Sequence, residues 1–189
     1  MAAAVLIEKS ETSELTNMAG KECTVGRFIS EDEGWKIVKF ASSWEGTPYS
    51  LVGAGSVKGV GGDCSGTTNK IYTEAGFPYR YQSTSKFVEY ASSTNRFRKI
   101  DLAKDKLQSG DILLWPGHMA IYAPFPEGHE KHDTGVVQRG KKKYNNMYTA
   151  FNSRANAPPF GPHNIETFRG DAYTVYRYFY LPNDSGCKK

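Results

Sequence analysis

From residue 30 to about residue 91, apolar positions recur every three or four residues. Beyond residue 110 they fall in short runs or alternate. The first pattern predicts helices and the second predicts strands. "SEDE" at 30–33 is a capping box, with Ser30 as cap and Glu33 reaching back to it. Ile37, Phe40, Ala41 and Trp44 then make one helical face, which Gly46 and Pro48 terminate. A second helix is expected to start near Asp63 or Cys64 and run through "SGTTNKIYTEA", with Gly76 as its cap and Pro78 beyond. A third begins at Ser83 or Ser85 and carries Phe87, Val88, Tyr90 and Ala91.

After Ser109-Gly110 the period changes. "DILLW" reads as a buried strand, Pro116-Gly117 as a turn, and "HMAIYA" as an alternating strand. In that strand His118, Ala120 and Tyr122 share one face, while Met119, Ile121 and Ala123 share the other. "YNNMYTAFN" is a further strand, with Tyr148, Ala150 and Asn152 on one face, and "AYTVYRYFY" is the last. Helices first and an antiparallel sheet afterwards is an α+β order. The expected organisation is a tail or arm over 1–29, one catalytic domain over 30–182 and a short tail over 183–189.

A net charge of +4 is mildly basic, which suits approach to an anionic polymer but does not by itself point to nucleic acid. No run reaches the length of a membrane span. "MAAAVLIEKSETSEL" lacks the basic start and long apolar core of a secretory signal. The chain is therefore expected to stay inside the cell, to have had its signal removed, or to leave by a specialised route. Of three cysteines, Cys23 and Cys187 can pair if the chain ends meet, or remain thiols.

Cys64 is set apart by its surroundings. A nucleophilic cysteine has to be a thiolate, and a helix N-terminus and an imidazole partner both favour that form. "GGDCSG" places Cys64 in a first helical turn, with small neighbours that leave room for substrate. His118 opens a strand that can bring an imidazole across that helix end, and a backbone N–H near Cys64 can serve an oxyanion. Taken alone, one buried Cys and one His are ordinary core residues.

The wider motifs favour chemistry. "GTPYSLVGAGSVKGVGGDCSG" followed by "LQSGDILLWPGHMAIY" resembles the NlpC family of cell-wall cysteine peptidases, of the papain-like superfamily. The likeness covers roughly residues 35–123 and, in the order of elements, extends to about residue 180. It implies a papain-like fold with N-terminal helices packed on a C-terminal antiparallel sheet. It makes Cys64 the nucleophile and His118 its general base, with Tyr49, Asp63 and Ser65 lining the substrate site. For Asp63, capping the helix is an equal alternative. The family's third polar residue, which orients the histidine, lies on the strand after the histidine strand. Asn152 is the candidate here, with His129, His132 and His163 as alternatives. The chain departs from the family in lacking a His-Ala-Ser-like signature, in spreading its glycines as "LVGAG", and in carrying "FPYR" where Leu-Pro-Arg is usual.

The implied activity is hydrolysis of an amide in peptidoglycan stem peptides, most often between γ-D-glutamate and a diamino acid, without metal or organic cofactor. The expected partner is peptidoglycan, with no nucleic acid and no integral membrane segment. A free-standing catalytic domain without a secretory signal also fits an antibacterial effector acting in a target cell's periplasm or wall, or a lytic enzyme. An effector calls for a cognate immunity protein. The alternatives are another thiol amidase or acyltransferase, and a non-catalytic module that binds stem peptide.

Other signals carry less. "GAGSVKGVGG" lacks the Gly-Lys-Ser/Thr of a phosphate loop and reads as a cleft loop. "HEKH" at 129–132 needs further ligands to hold a metal. "RGKKK" at 139–143 reads as a solvated hairpin tip. Trp115 is either a sugar platform or a buried strand end.

Overall fold

The computed structural model of the chain describes residues 26–133, 137–138, 141–150, 158–182 and 184. Strand β1 (Arg27–Phe28) leads into helix α1 (Glu31–Ser42). The capping box forms: Glu33 N–H donates to the Ser30 hydroxyl at 3.2 Å, and Ser30 N–H donates to the Glu33 carboxylate at 2.7 Å. Helix α1 stops at Ser42, so Trp44 falls in the following turn rather than on the helical face. It is buried all the same, and its indole N–H reaches Glu74 at 3.1 Å. Gly34 lets α1 lie directly on the loop before the sheet, since a Cβ there would stand 1.8 Å from the Ser109 carbonyl oxygen.

Helix α2 (Cys64–Glu74) starts where expected and closes at Ala75, with Gly76 at φ +93°. Helix α3 (Thr84–Thr94) buries Phe87 and Ala91 and leaves Val88 exposed. Strand β2 (Phe97–Ile100) was hidden by its two adjacent charges, Arg98 and Lys99. Then come β3 (Ile112–Trp115) and β4 (His118–Tyr122), joined by the Pro116-Gly117 turn with Gly117 at φ +73°. A two-stranded ribbon, β5 (Val137–Gln138) with β6 (Lys141–Lys142), precedes β7 (Met147–Thr149), β8 (Gly161–His163), the short helix α4 (Ile165–Phe168) and β9 (Thr174–Tyr180).

The main sheet is antiparallel in the order β1-β9-β3-β4-β7-β8, and β2 also pairs with β9. Its two faces follow from strand alternation. Ile112, Leu114, Met119, Ile121 and Tyr148 pack under the helices with Ile37, Ile71 and Tyr72, while Leu113, Trp115, Ala120 and Met147 pack on the other side with Ile165. Truncating a fully buried member such as Ile71 to alanine costs about 2–5 kcal/mol. Helices packed on an antiparallel sheet make the chain α+β.

Residues 27–29, expected in an arm, are part of this body: β1 pairs with β9 and Ile29 is buried. Cys23, Cys187 and the rest of both expected tails except Gly26 and Asp184 lie outside the described residues. The "GD" before β3 has a structural use. The wholly buried Asp111 accepts from the Arg177 guanidinium at 2.8 and 2.9 Å, tying β9 to the start of β3. Among the described residues, no helix is long and apolar enough to cross a membrane.

Candidate active site

Asp63 is the N-cap of α2, and it also anchors the glycine loop before it. One carboxylate oxygen accepts from Gly66 N–H at 2.7 Å, and the other accepts from Gly53 N–H at 2.6 Å, in a short 3-10 turn over Gly53–Gly55. Both oxygens are thus engaged in holding backbone, the capping alternative for this residue. Gly66 is required by the same packing: a Cβ there would stand 2.0 Å from the Gly53 carbonyl oxygen. The "DCSG" quartet is therefore a splice between loop and helix, which leaves Cys64 in the first turn.

Tyr49 and Ser65 stand around the thiol. Tyr49 bridges Gly62 and is half-buried, and burial with the neighbouring Cys64 and Asp63 acids pushes its phenol pKa up. The Ser65 hydroxyl donates to Asp63 at 3.3 Å and accepts from the Tyr81 hydroxyl at 3.3 Å. Tyr81 was not foreseen, because nothing in the spacing of "FPYRY" marks it as reaching Ser65.

Helix α2 packs across β4. The Cys64 sulfur faces the N–H of Met119, the residue after His118, together with the N–H groups of Ser65 and of Cys64 itself. All three favour a thiolate. Burial outweighs them, and with Asp63 adjacent the thiol is pushed up to about 11. The resting group is a thiol, contrary to the expectation that the helix end would ionise it.

His118 is 8% exposed and lies on the other face of β4 from Met119, packed at 4.7 Å against the Phe168 ring. Burial, with the charge of Arg169 second, brings its pKa down to about 4, so the imidazole is neutral. Its Nε2 lies 2.6 Å from the Thr149 hydroxyl. That hydroxyl has carbonyl acceptors of its own, Ala150 at 3.3 Å and Met119 at 3.4 Å. With its proton directed there, it accepts from Nε2–H, and Nδ1 is left with a free lone pair. No hydrogen bond joins Cys64 to His118; the two residues meet through the β4 backbone.

Thr149 takes the orienting place expected for Asn152. Asn152 itself lies outside the described residues. The reason is register. Ala120, on the His118 face, pairs with Thr149, whereas Tyr148 and Ala150 turn to the helix side. Of the other histidines, His129 stacks on Phe125 at 5.0 Å and His132 on Tyr144 at 4.0 Å, both in the loops past the far end of β4. His163 on β8 meets Phe168, the ring that also touches His118. Trp115 is buried, with its indole N–H on the Asp171 carbonyl at 3.2 Å, which leaves no open sugar platform. Among the described residues no group of three or more His, Cys, Asp or Glu is placed to hold a metal ion.

A buried thiol under three N–H donors and, across the β4 backbone from it, a neutral imidazole are parts suited to acyl transfer. No protein-family model matches the chain, and no curated protein matches it.

Proposed function

We propose that the chain is a papain-like cysteine hydrolase of the NlpC type, cutting amide bonds in peptidoglycan stem peptides. One observation carries the reading: the Cys64 sulfur lies against the amide that follows His118, while the Thr149 hydroxyl stands 2.6 Å from the imidazole Nε2, so that the tautomer protonated at Nε2 has its Nδ1 lone pair open.

With the thiol near 11 and the imidazole near 4, an ion pair is far uphill before substrate arrives. Proton transfer therefore accompanies attack. Nδ1 takes the Sγ proton as sulfur bonds to the amide carbonyl carbon, and the backbone N–H groups around the sulfur stabilise the developing negative charge. The C–N bond then breaks, the imidazolium returns the proton to the leaving amine, and a thioester remains. Water, deprotonated by the same imidazole, releases the acid and restores the thiol. The sulfur and Nδ1 close to hydrogen-bonding distance when substrate binds, as catalytic contacts commonly do.

Purified sacculi test this directly. The native protein is expected to release fragments opened within the stem, and Cys64→Ala to release none, as read by mass spectrometry. Intact sacculi with the native protein, beside an active control enzyme, would overturn the proposal. Toxicity on export to the periplasm of a susceptible bacterium, relieved by Cys64→Ala, is expected of an antibacterial effector that needs an immunity protein.

A second reading has its own observation. Leu51, Val52, Val57 and Val60 are exposed on the loop that Asp63 ties to α2. Exposed aliphatic side chains on that loop favour a thiol acyltransferase with an apolar acyl donor. Accumulation of a Cys64 thioester from a lipid, with sacculi untouched, would select it.

A further inference from the structure

Phe168 and Arg169, neighbours in the chain, close the histidine side of the site. Phe168 packs on the imidazole, and the Arg169 Nη1 donates to the Pro116 carbonyl at 3.1 Å, two residues before His118. The guanidinium is thus held at the turn that delivers the base. Its Nε and Nη2 donate to Asp171 at 2.8 and 2.6 Å. Those contacts use three of the five N–H donors of an arginine, and the side chain remains 32% exposed.

In acyl transfer to a thiol, the imidazole hands its proton to the leaving nitrogen, so the leaving amine lies over the histidine. Cys64, Ser65 and Tyr81 then face the acyl fragment, and what lies beyond the imidazole faces the leaving fragment. A guanidinium with spare donors there matches a carboxylate in charge and in fork geometry. We infer that Arg169 selects leaving groups that carry a carboxylate beside the amine, namely amino acids with a free α-carboxylate. The inference rests on the acyl-transfer reading and adds the chemistry of the leaving side.

The test uses two peptides that differ only at that group: L-Ala–γ-D-Glu–L-Lys with its terminal carboxylate, and the same peptide as the terminal carboxamide. The readout is the ratio of kcat/KM for acid over amide, in which a general loss of activity cancels. A charge-assisted pair predicts a ratio of about 10 to 100 for the native protein. Arg169→Gln is expected to bring it close to 1, and Arg169→Lys to leave it between. Asp171→Asn removes the competing carboxylate and is expected to raise the ratio several-fold, which keeps the test open if the arginine variants fail to fold. A native ratio near 1, or one unchanged in the variants, overturns the role of Arg169 and leaves the hydrolase reading standing. Cleavage of neither peptide by the native protein, where a control enzyme cuts both, overturns the hydrolase reading and this inference with it.

Discussion

The contacts that shape the cap and loop around Cys64 are short in sequence: Asp63 reaches three residues to Gly66 and ten to Gly53, and Ser65 reaches sixteen to Tyr81, while the sulfur's own approach to Met119 is long. On the histidine side the contacts that hold the imidazole and its turn are long. His118 reaches 31 residues to Thr149, and Arg169 reaches 53 to Pro116. The first wall is a helix cap and a glycine loop that one segment can form by itself. The second exists only once strands and a short helix from three parts of the chain are in register. Local hydrogen-bonding rules therefore describe the thiol's setting, and sheet topology describes the base's.

Gly66→Ala attacks the cysteine wall where it is tightest. Its Cβ would meet backbone, the Gly53 carbonyl, so the loop has to leave the helix end. Turnover is expected to fall below detection, with several kcal/mol lost in urea unfolding. Near-native turnover would mean that the splice between loop and helix is not what positions the thiol.

The histidine wall has a pH signature. His118 titrates near 4 in the folded chain, against about 6.5 when unfolded. Between those values the unfolded state binds a proton that the folded state refuses, so stability falls as pH drops from 6.5 to 4. The loss is roughly 3 kcal/mol. Half-buried His163 is lowered by burial too and adds in the same direction. Unfolding free energies at pH 7 and pH 4.5 are expected to differ less in His118→Asn than in the native chain. The same neutral imidazole places the acid limb of turnover near pH 4; a limb at 6.5 would mean a solvated base.

Thr149→Val keeps the shape of the side chain and removes the hydroxyl. The imidazole then loses its tautomer and orientation, and kcat is expected to fall about 10- to 100-fold. Alkylation of Cys64 by iodoacetamide should be unaffected, rising with pH toward the thiol's value of about 11 in both proteins. Equal kcat in Thr149→Val would return the orienting role to residues beyond this pair.

The smallest effect is expected at Tyr81→Phe, which removes one 3.3 Å contact to Ser65. KM should rise a few-fold with kcat nearly unchanged, because on the proposed acyl-transfer reading the hydroxyl touches the Ser65 wall and not the reacting atoms. A larger fall in kcat than in affinity would place Tyr81 in the chemistry instead.

The features legible from the residues alone are those that depend on neighbours along the chain. The capping box at Ser30, the α2 start at Asp63, the Pro116-Gly117 hairpin and the alternation of β4 all rest on period, caps and turn residues, and all four formed. Strand β2 was missed because Arg98 and Lys99 mask its alternation, and β8 because Pro162 and flanking prolines read as loop. The tertiary structure alone decided which residue holds the imidazole. Alternation places side chains on faces, but only the pairing of β4 with β7 says that Thr149 shares the His118 side. It also decided the ionisation state. A helix N-terminus favours a thiolate in any sequence, whereas the burial that reverses this depends on how α2 packs across β4, and desolvation is a property of the assembled site.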